Sequence, residues 1–176
     1  GLMQLPRAAP ALHNRAVASQ EASLGYMALL RQPETRRMLL AVSLIQGSHA
    51  AYYTYGVIYW QSAGLAPQQI SWLWSVAVVA EIVLFFFSRR LLGGVEIVRL
   101  MQISALLTMG RWLLMAATVN PWLLLAVQMM HAAGFSLSHF TMVRFIVGQP
   151  EQDMAKLQAL YIGMASCVVV AVLTLL

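Results

Sequence analysis

Gln128, His131, Phe135, Ser138 and Met142 recur three or four residues apart, so on a helix they share one stripe, with His139 at its border. They lie inside an apolar run long enough to cross a bilayer. Polar and ionisable side chains are costly there and usually face a bundle interior or a wet cavity. Three other apolar runs repeat the pattern. Gln46, His49, Tyr52, Tyr53, Gly56 and Trp60 align on one face, Trp74, Ala77, Glu81, Phe85 and Ser88 on a second, and Ser104, Thr108, Arg111 and Thr118 on a third. An arginine stays charged at any working pH and can hold an anion, whereas imidazole and carboxyl groups can gain and lose protons. At ~1.5 Å per residue, Arg111 and His131 lie roughly 20 Å from the basic ends of their runs, His49 slightly less, and Glu81 and His139 nearer ~10 Å. This count predicts a central layer of Arg111, His131 and His49, with Glu81 and His139 one layer closer to the basic side. Glu81 has a second possible role, orienting His139.

The elements that would position these residues are membrane spans. At 60% hydrophobic and 10% charged residues, the chain is too apolar for an ordinary soluble domain. The expected fold is all-α, an integral membrane bundle with spans over residues 38–60, 70–88, 97–119, 122–147 and 156–176. Each has about the twenty residues that a bilayer core requires. Residues 1–36 read as a basic leader with a short surface helix that ends near Gln32 and Pro33. The leader, the loop around Arg89, Arg90 and Arg99, and the connection bearing Arg144 and Lys156 are basic, whereas residues 61–69 and 118–122 carry no charge. The positive-inside rule therefore makes the leader cytoplasmic, and Arg144 is expected to snorkel to that boundary. Five spans leave Leu176 at the bare far end of an apolar helix, so the chain is expected to be a fragment.

Several function classes fit poorly. The net charge of +5 is not arranged as a charged face with interleaved aromatics, so no nucleic acid partner is expected. The single cysteine, Cys167, cannot form an intrachain disulfide. His49, His131, His139 and Glu81 lack metalloenzyme spacing, and Arg111 would repel a cation. No enzyme activity, cofactor or metal is expected. A non-transporting membrane scaffold or assembly subunit remains a second reading, in which changes at Arg111 or Glu81 would not affect uptake.

Gln46-Gly-Ser-His49-Ala-Ala in the first span is echoed by Gln128-Met-Met-His131-Ala-Ala in the fourth. Spans three apart run in opposite directions, as in inverted three-helix repeats whose interface carries the substrate site. Residues 46–60, Glu81, the Arg-rich loop with Gly93-Gly94, Arg111, and the stretch from His131 to Arg144 resemble the C-terminal half of a major facilitator transporter. Within that superfamily they resemble the phenylpropionate permeases, which are close to the lactose permeases. The likeness extends from about residue 29 to 176 and corresponds to helices seven to eleven of twelve.

The resemblance implies a bacterial inner-membrane protein that takes up a small aromatic carboxylate together with protons. A lactose-permease-like sugar or nucleoside symporter is the alternative. The partners implied are the lipid bilayer, an organic anion, protons, and either the missing N-terminal half or a second copy of the chain. Arg111 and His131 fall where lactose permeases have an arginine and a histidine. Gly134 stands in place of their proton-carrying glutamate, and Gln128 in place of a lysine. Glu81 and His139 thus become the candidates for proton coupling. His49, Tyr52, Tyr53, Arg111, Gln128, His131 and Phe135 become the candidates for substrate binding.

The charge pattern makes a topological prediction. A periplasm-dependent reporter such as alkaline phosphatase should be active when fused within residues 61–69 and inactive when fused after Gly94. The reverse pattern would invert the orientation.

Overall fold

The computed structural model describes residues 24–175, and the leader before Leu24 lies outside them. Every regular element in that range is a helix. These are α1 (Tyr26–Arg31), α2 (Pro33–Ser62), α3 (Pro67–Leu92), α4 (Ile97–Ala117), α5 (Pro121–His131), α6 (Leu137–Val147) and α7 (Glu151–Leu175), with a π-helical segment, Ala132–Ser136, joining α5 to α6. Proline opens α2, α3 and α5, a position where its missing N–H forfeits no intrahelical bond. Asn120 caps α5, its Oδ1 accepting from Trp122 N at 3.0 Å and Leu123 N at 3.4 Å. The turn between α2 and α3 passes through Gly64 at φ +88°, a conformation that glycine adopts without steric cost.

Among the described residues four helical runs are long and apolar enough to cross a membrane: α3, α4, Pro121–Val147 (α5, the π segment and α6 together) and α7. The 30-residue α2 is longer still but does not reach the same apolarity. Its middle carries Gln46, Ser48, His49, Tyr52, Tyr53 and Thr54, so the residues that give it chemistry also dilute its membrane signal. The Pro121–Val147 helix is the hub. Half of its apolar window (50%) is buried inside the bundle, against 33% for α4, 17% for α3 and 11% for α7. It touches α2, α3 and α4, while α7 lies along α2.

Two apolar cores flank the middle of the bundle. One gathers Leu29, Leu39, Val42, Ile45, Met142, Phe145 and Leu157. The other gathers Tyr52, Trp60, Leu73, Leu124 and Val127. His49 falls between Ile45 and Tyr52 on α2, and His131 between Val127 and Met142 on the hub, so the polar residues occupy the gap between the cores.

Arg144, expected only to snorkel, has a more specific task. Its guanidinium donates to the carbonyls of Leu92 at 2.9 Å, Val95 at 3.0 Å and Gly93 at 3.2 Å. The last carbonyls of a helix have no intrahelical donor and form its negative end, so a cation is favoured there. Arg144 thereby ties the C-terminus of α3 and the following loop to α6.

Close approach of α2 and α7 depends on Gly47, where an added Cβ would collide with Val168 Cγ1. Val168 is β-branched and stiff at χ1, so it cannot simply rotate away. Gly47→Ala should therefore destabilise the bundle by about 1–3 kcal/mol, read as a lower Tm in detergent; an unchanged Tm would show that the helices can part freely.

Candidate functional site

The site is built around Arg111. It comes from α4 yet is fully buried, so it does reach inward. Nη2 donates to Gln128 Oε1 at 3.1 Å, and the guanidinium carbon lies 4.6 Å from the Tyr52 ring centroid and 4.3 Å from that of Trp112. Aromatic faces attract a cation most strongly where water is excluded. Among the described residues no carboxylate pairs with Arg111, and its Nε and Nη1 have no partner.

Gln128 is also fully buried and every one of its polar atoms is engaged. Nε2 donates to the Tyr52 hydroxyl at 2.5 Å and to the Leu73 carbonyl at 3.3 Å. Arginine offers only donors and a carbonyl only accepts, so the amide can face its neighbours in one orientation alone. Gln128 was expected to touch a ligand directly, but both of its N–H groups are already committed within the bundle.

His131 Nε2 lies 2.8 Å from Glu81 Oε1, and the Tyr53 hydroxyl is 3.3 Å from the same nitrogen. Its ring is stacked on Phe135, with centroids 5.3 Å apart. The two echoed histidines meet, His49 lying 4.9 Å from His131 between ring centroids. His49 Nδ1 sits 2.8 Å from the Ile45 carbonyl, which can only accept, so the proton belongs on Nδ1. That leaves His49 Nε2 buried and unpartnered, like His131 Nδ1.

The layering expected from helical rise needs correction. Glu81 pairs with His131, not with His139, and so joins the central layer. A helical side chain leans toward its own N-terminus, and the Glu81 arm carries its carboxylate back from where the Cα count put it. His139 instead meets α7, its Nδ1 lying 2.7 Å from the Tyr161 hydroxyl, with Phe85 between it and the Glu81 level (ring centroids 6.1 Å).

Between His131 and His139 the π segment widens the turn and releases carbonyls from the regular ladder. Neighbouring helices supply the donors. Gln46 Nε2 reaches the Phe135 carbonyl at 3.2 Å and Ser138 Oγ at 3.0 Å, and Ser104 Oγ reaches the Gly134 carbonyl at 2.6 Å. An added Cβ at Gly134 would strike Thr108 Oγ1. The glutamate that the lactose-permease resemblance implies at the matching place would thus have to displace the Thr108 hydroxyl.

Two tryptophans wall the site, and neither was among the expected ligand-binding residues. Trp74 stacks on Tyr52 with centroids 4.7 Å apart. Trp112 packs against Arg111 and His49 and donates from Nε1 to Ser48 Oγ at 3.1 Å. Trp74 shares the Glu81 stripe, and helical spacing placed it on that face without assigning it to the site. Trp112 could not be placed with Arg111 in this way, because adjacent residues on a helix point about 100° apart.

A sequence profile described as the MFS_1 like family matches residues 4–175. The chain is 36% identical over 169 residues to a probable 3-phenylpropionic acid transporter of Escherichia coli (strain K12). That alignment covers 94% of this chain and 44% of the relative, so the chain spans less than half the length of the curated protein it matches. No solved structure matches it.

The capping of the π segment is testable. Gln46→Leu removes one of two side-chain donors to the Phe135 carbonyl, Ser138 Oγ remaining at 2.8 Å, and should cost about 0.5–1.5 kcal/mol, the range for one lost hydrogen bond, seen as faster hydrogen exchange over residues 132–138. Unchanged protection there would mean the segment holds itself.

Proposed function

The chain belongs to the MFS_1 like family, and we propose that it forms helices seven to eleven of a twelve-helix secondary transporter that takes up a small aromatic monocarboxylate with a proton. On this reading the protein lies in a bacterial inner membrane with its leader in the cytoplasm. α2, the first span in chain order, then joins the four more apolar ones, kept in the bilayer by burial of its polar face against the hub. An N-terminal half, or a second copy of the chain, would complete the central cavity.

The observation that carries the reading is Arg111, a permanent cation in the middle of an apolar bundle with no carboxylate paired to it among the described residues. A buried charge without a counter-charge is strongly unfavourable, and a substrate carboxylate would relieve it. The similarity to a protein named as a probable 3-phenylpropionic acid transporter supports an aromatic acid as that substrate. Tyr52, Tyr53, Trp74, Trp112 and Phe135 supply aromatic walls suited to a ring.

Proton handling is assigned to Glu81 with His131. Both groups can change charge, and their 2.8 Å contact is short enough for a proton to pass between them. Substrate arriving at Arg111 would bring a negative charge toward this pair and alter which partner holds the proton. His49, with its proton on Nδ1 and an open Nε2, would offer an acceptor to the coupled proton. His139, tied to Tyr161, stands outside this exchange.

In the full-length transporter, Arg111→Ala should lower uptake of 3-phenylpropionate by at least about 100-fold, since a hydrogen-bonded buried charge contributes several kcal/mol. Glu81→Gln should retain substrate exchange while losing accumulation driven by a proton gradient. Gradient-driven accumulation that survives Glu81→Gln would move the proton path to the other half.

A further inference from the structure

We infer that Gln128 is a positioning residue that sets the charge specificity of the site: a neutral anchor that orients Arg111 without neutralising it, so that the site takes a monoanion. This rests on the carboxylate reading of Arg111 and names what keeps that arginine available.

Three observations lead to this inference. Gln128 Oε1 accepts a hydrogen bond from Arg111 Nη2 at 3.1 Å, and among the described residues Nε and Nη1 have no partner. The anchor is itself held from two directions, by the Tyr52 hydroxyl of α2 and the Leu73 carbonyl of α3. Arg111 on α4 is thereby referenced to three other helices through one uncharged side chain. Finally, the nearby carboxylate, Glu81, is spent on His131 and leaves Arg111 uncompensated.

Size and shape alone do not select glutamine here. Glutamate has nearly the same outline and would bond Arg111 more strongly, through a charge-assisted contact. It would also cancel the one charge free to meet a ligand, and it would set an acceptor against the Leu73 carbonyl. Lysine would place a second cation beside the first. Only a neutral side chain with an acceptor on one side and donors on the other satisfies Arg111, Tyr52 and Leu73 together while leaving one net positive charge. With His131 already paired, that charge matches a single carboxylate, so a dicarboxylate would bring one negative charge too many.

The test uses the full-length transporter in cells, comparing uptake of labelled 3-phenylpropionate at equal membrane abundance, with the neutral isostere 3-phenylpropanamide as competitor. Gln128→Glu should raise the half-saturation concentration by about 100-fold or more and shift competition toward the amide, because the anion must now displace a buried carboxylate. Gln128→Leu removes the anchor without adding charge and should raise it only about 10-fold, the scale of one lost hydrogen bond, with the carboxylate still preferred. If Gln128→Glu does not accumulate in the membrane, Gln128→Asp introduces the same charge on a shorter arm and is read the same way. Equal losses in the Glu and Leu variants, or an unaltered preference for the carboxylate in the Glu variant, would overturn the inference. Arg111→Ala is the separate control: if uptake survives it, the carboxylate reading fails, whatever the Gln128 variants do.

Discussion

Arg111 is a permanent cation with no exposed surface, and the groups around it are those an apolar bundle can provide without a counter-ion. Desolvating a guanidinium costs several kcal/mol even after the surroundings relax. Two aromatic faces and one amide oxygen offset part of that cost, and further side chains order those groups in turn. Tyr52 is wedged against Trp74, Gln128 is held by Tyr52 and Leu73, and Trp112 is pinned by Ser48. Four helices are therefore committed to the placement of one charge.

Burial of the second polar cluster follows a different rule. Glu81 and His131 are mutually compensating, so their contact can persist inside the bundle whichever partner carries the proton. Glu81 and His131 are paired with each other, whereas Arg111 has no carboxylate paired to it among the described residues. Aromatic rings fill the space between them, and each ring that lies near Arg111 or His131 is also in contact with another ring. An aromatic ligand would enter surroundings already made of its own kind of surface.

The hub helix can carry these side chains because it is interrupted. A continuous α-helix would satisfy its own carbonyls and give Gln46 and Ser104 nothing to bind. The π segment exposes the Gly134 and Phe135 carbonyls at the level where α2 and α4 present donors, and Gly134 lets α4 come close enough for Ser104 to reach. Below that point α6 is fixed by Arg144 to the end of α3. Interruption and anchoring together define where His131 sits relative to Glu81.

Much of this was legible in the amino-acid sequence. Apolar runs of bilayer length specify helices, because in hydrocarbon the backbone must satisfy its own hydrogen bonds. The stripe periodicity assigned Arg111, Gln128, His131, Glu81 and His49 to inward faces, while the expected starts at residues 38 and 70 fell short of the prolines, Pro33 and Pro67, that open the helices. The Gln-x-x-His-Ala-Ala echo even foreshadowed the meeting of His49 with His131. Pairing was not legible. Helical rise locates Cα atoms, while contact depends on side-chain length, lean and the packing of whole helices, and so Glu81 was matched to the wrong histidine. The π segment and the wall formed by Trp112 were equally hidden, since one arises from donors on other helices and the other from a residue off its own stripe. Periodicity is a property of one helix, and the chemistry of this site is a property of four.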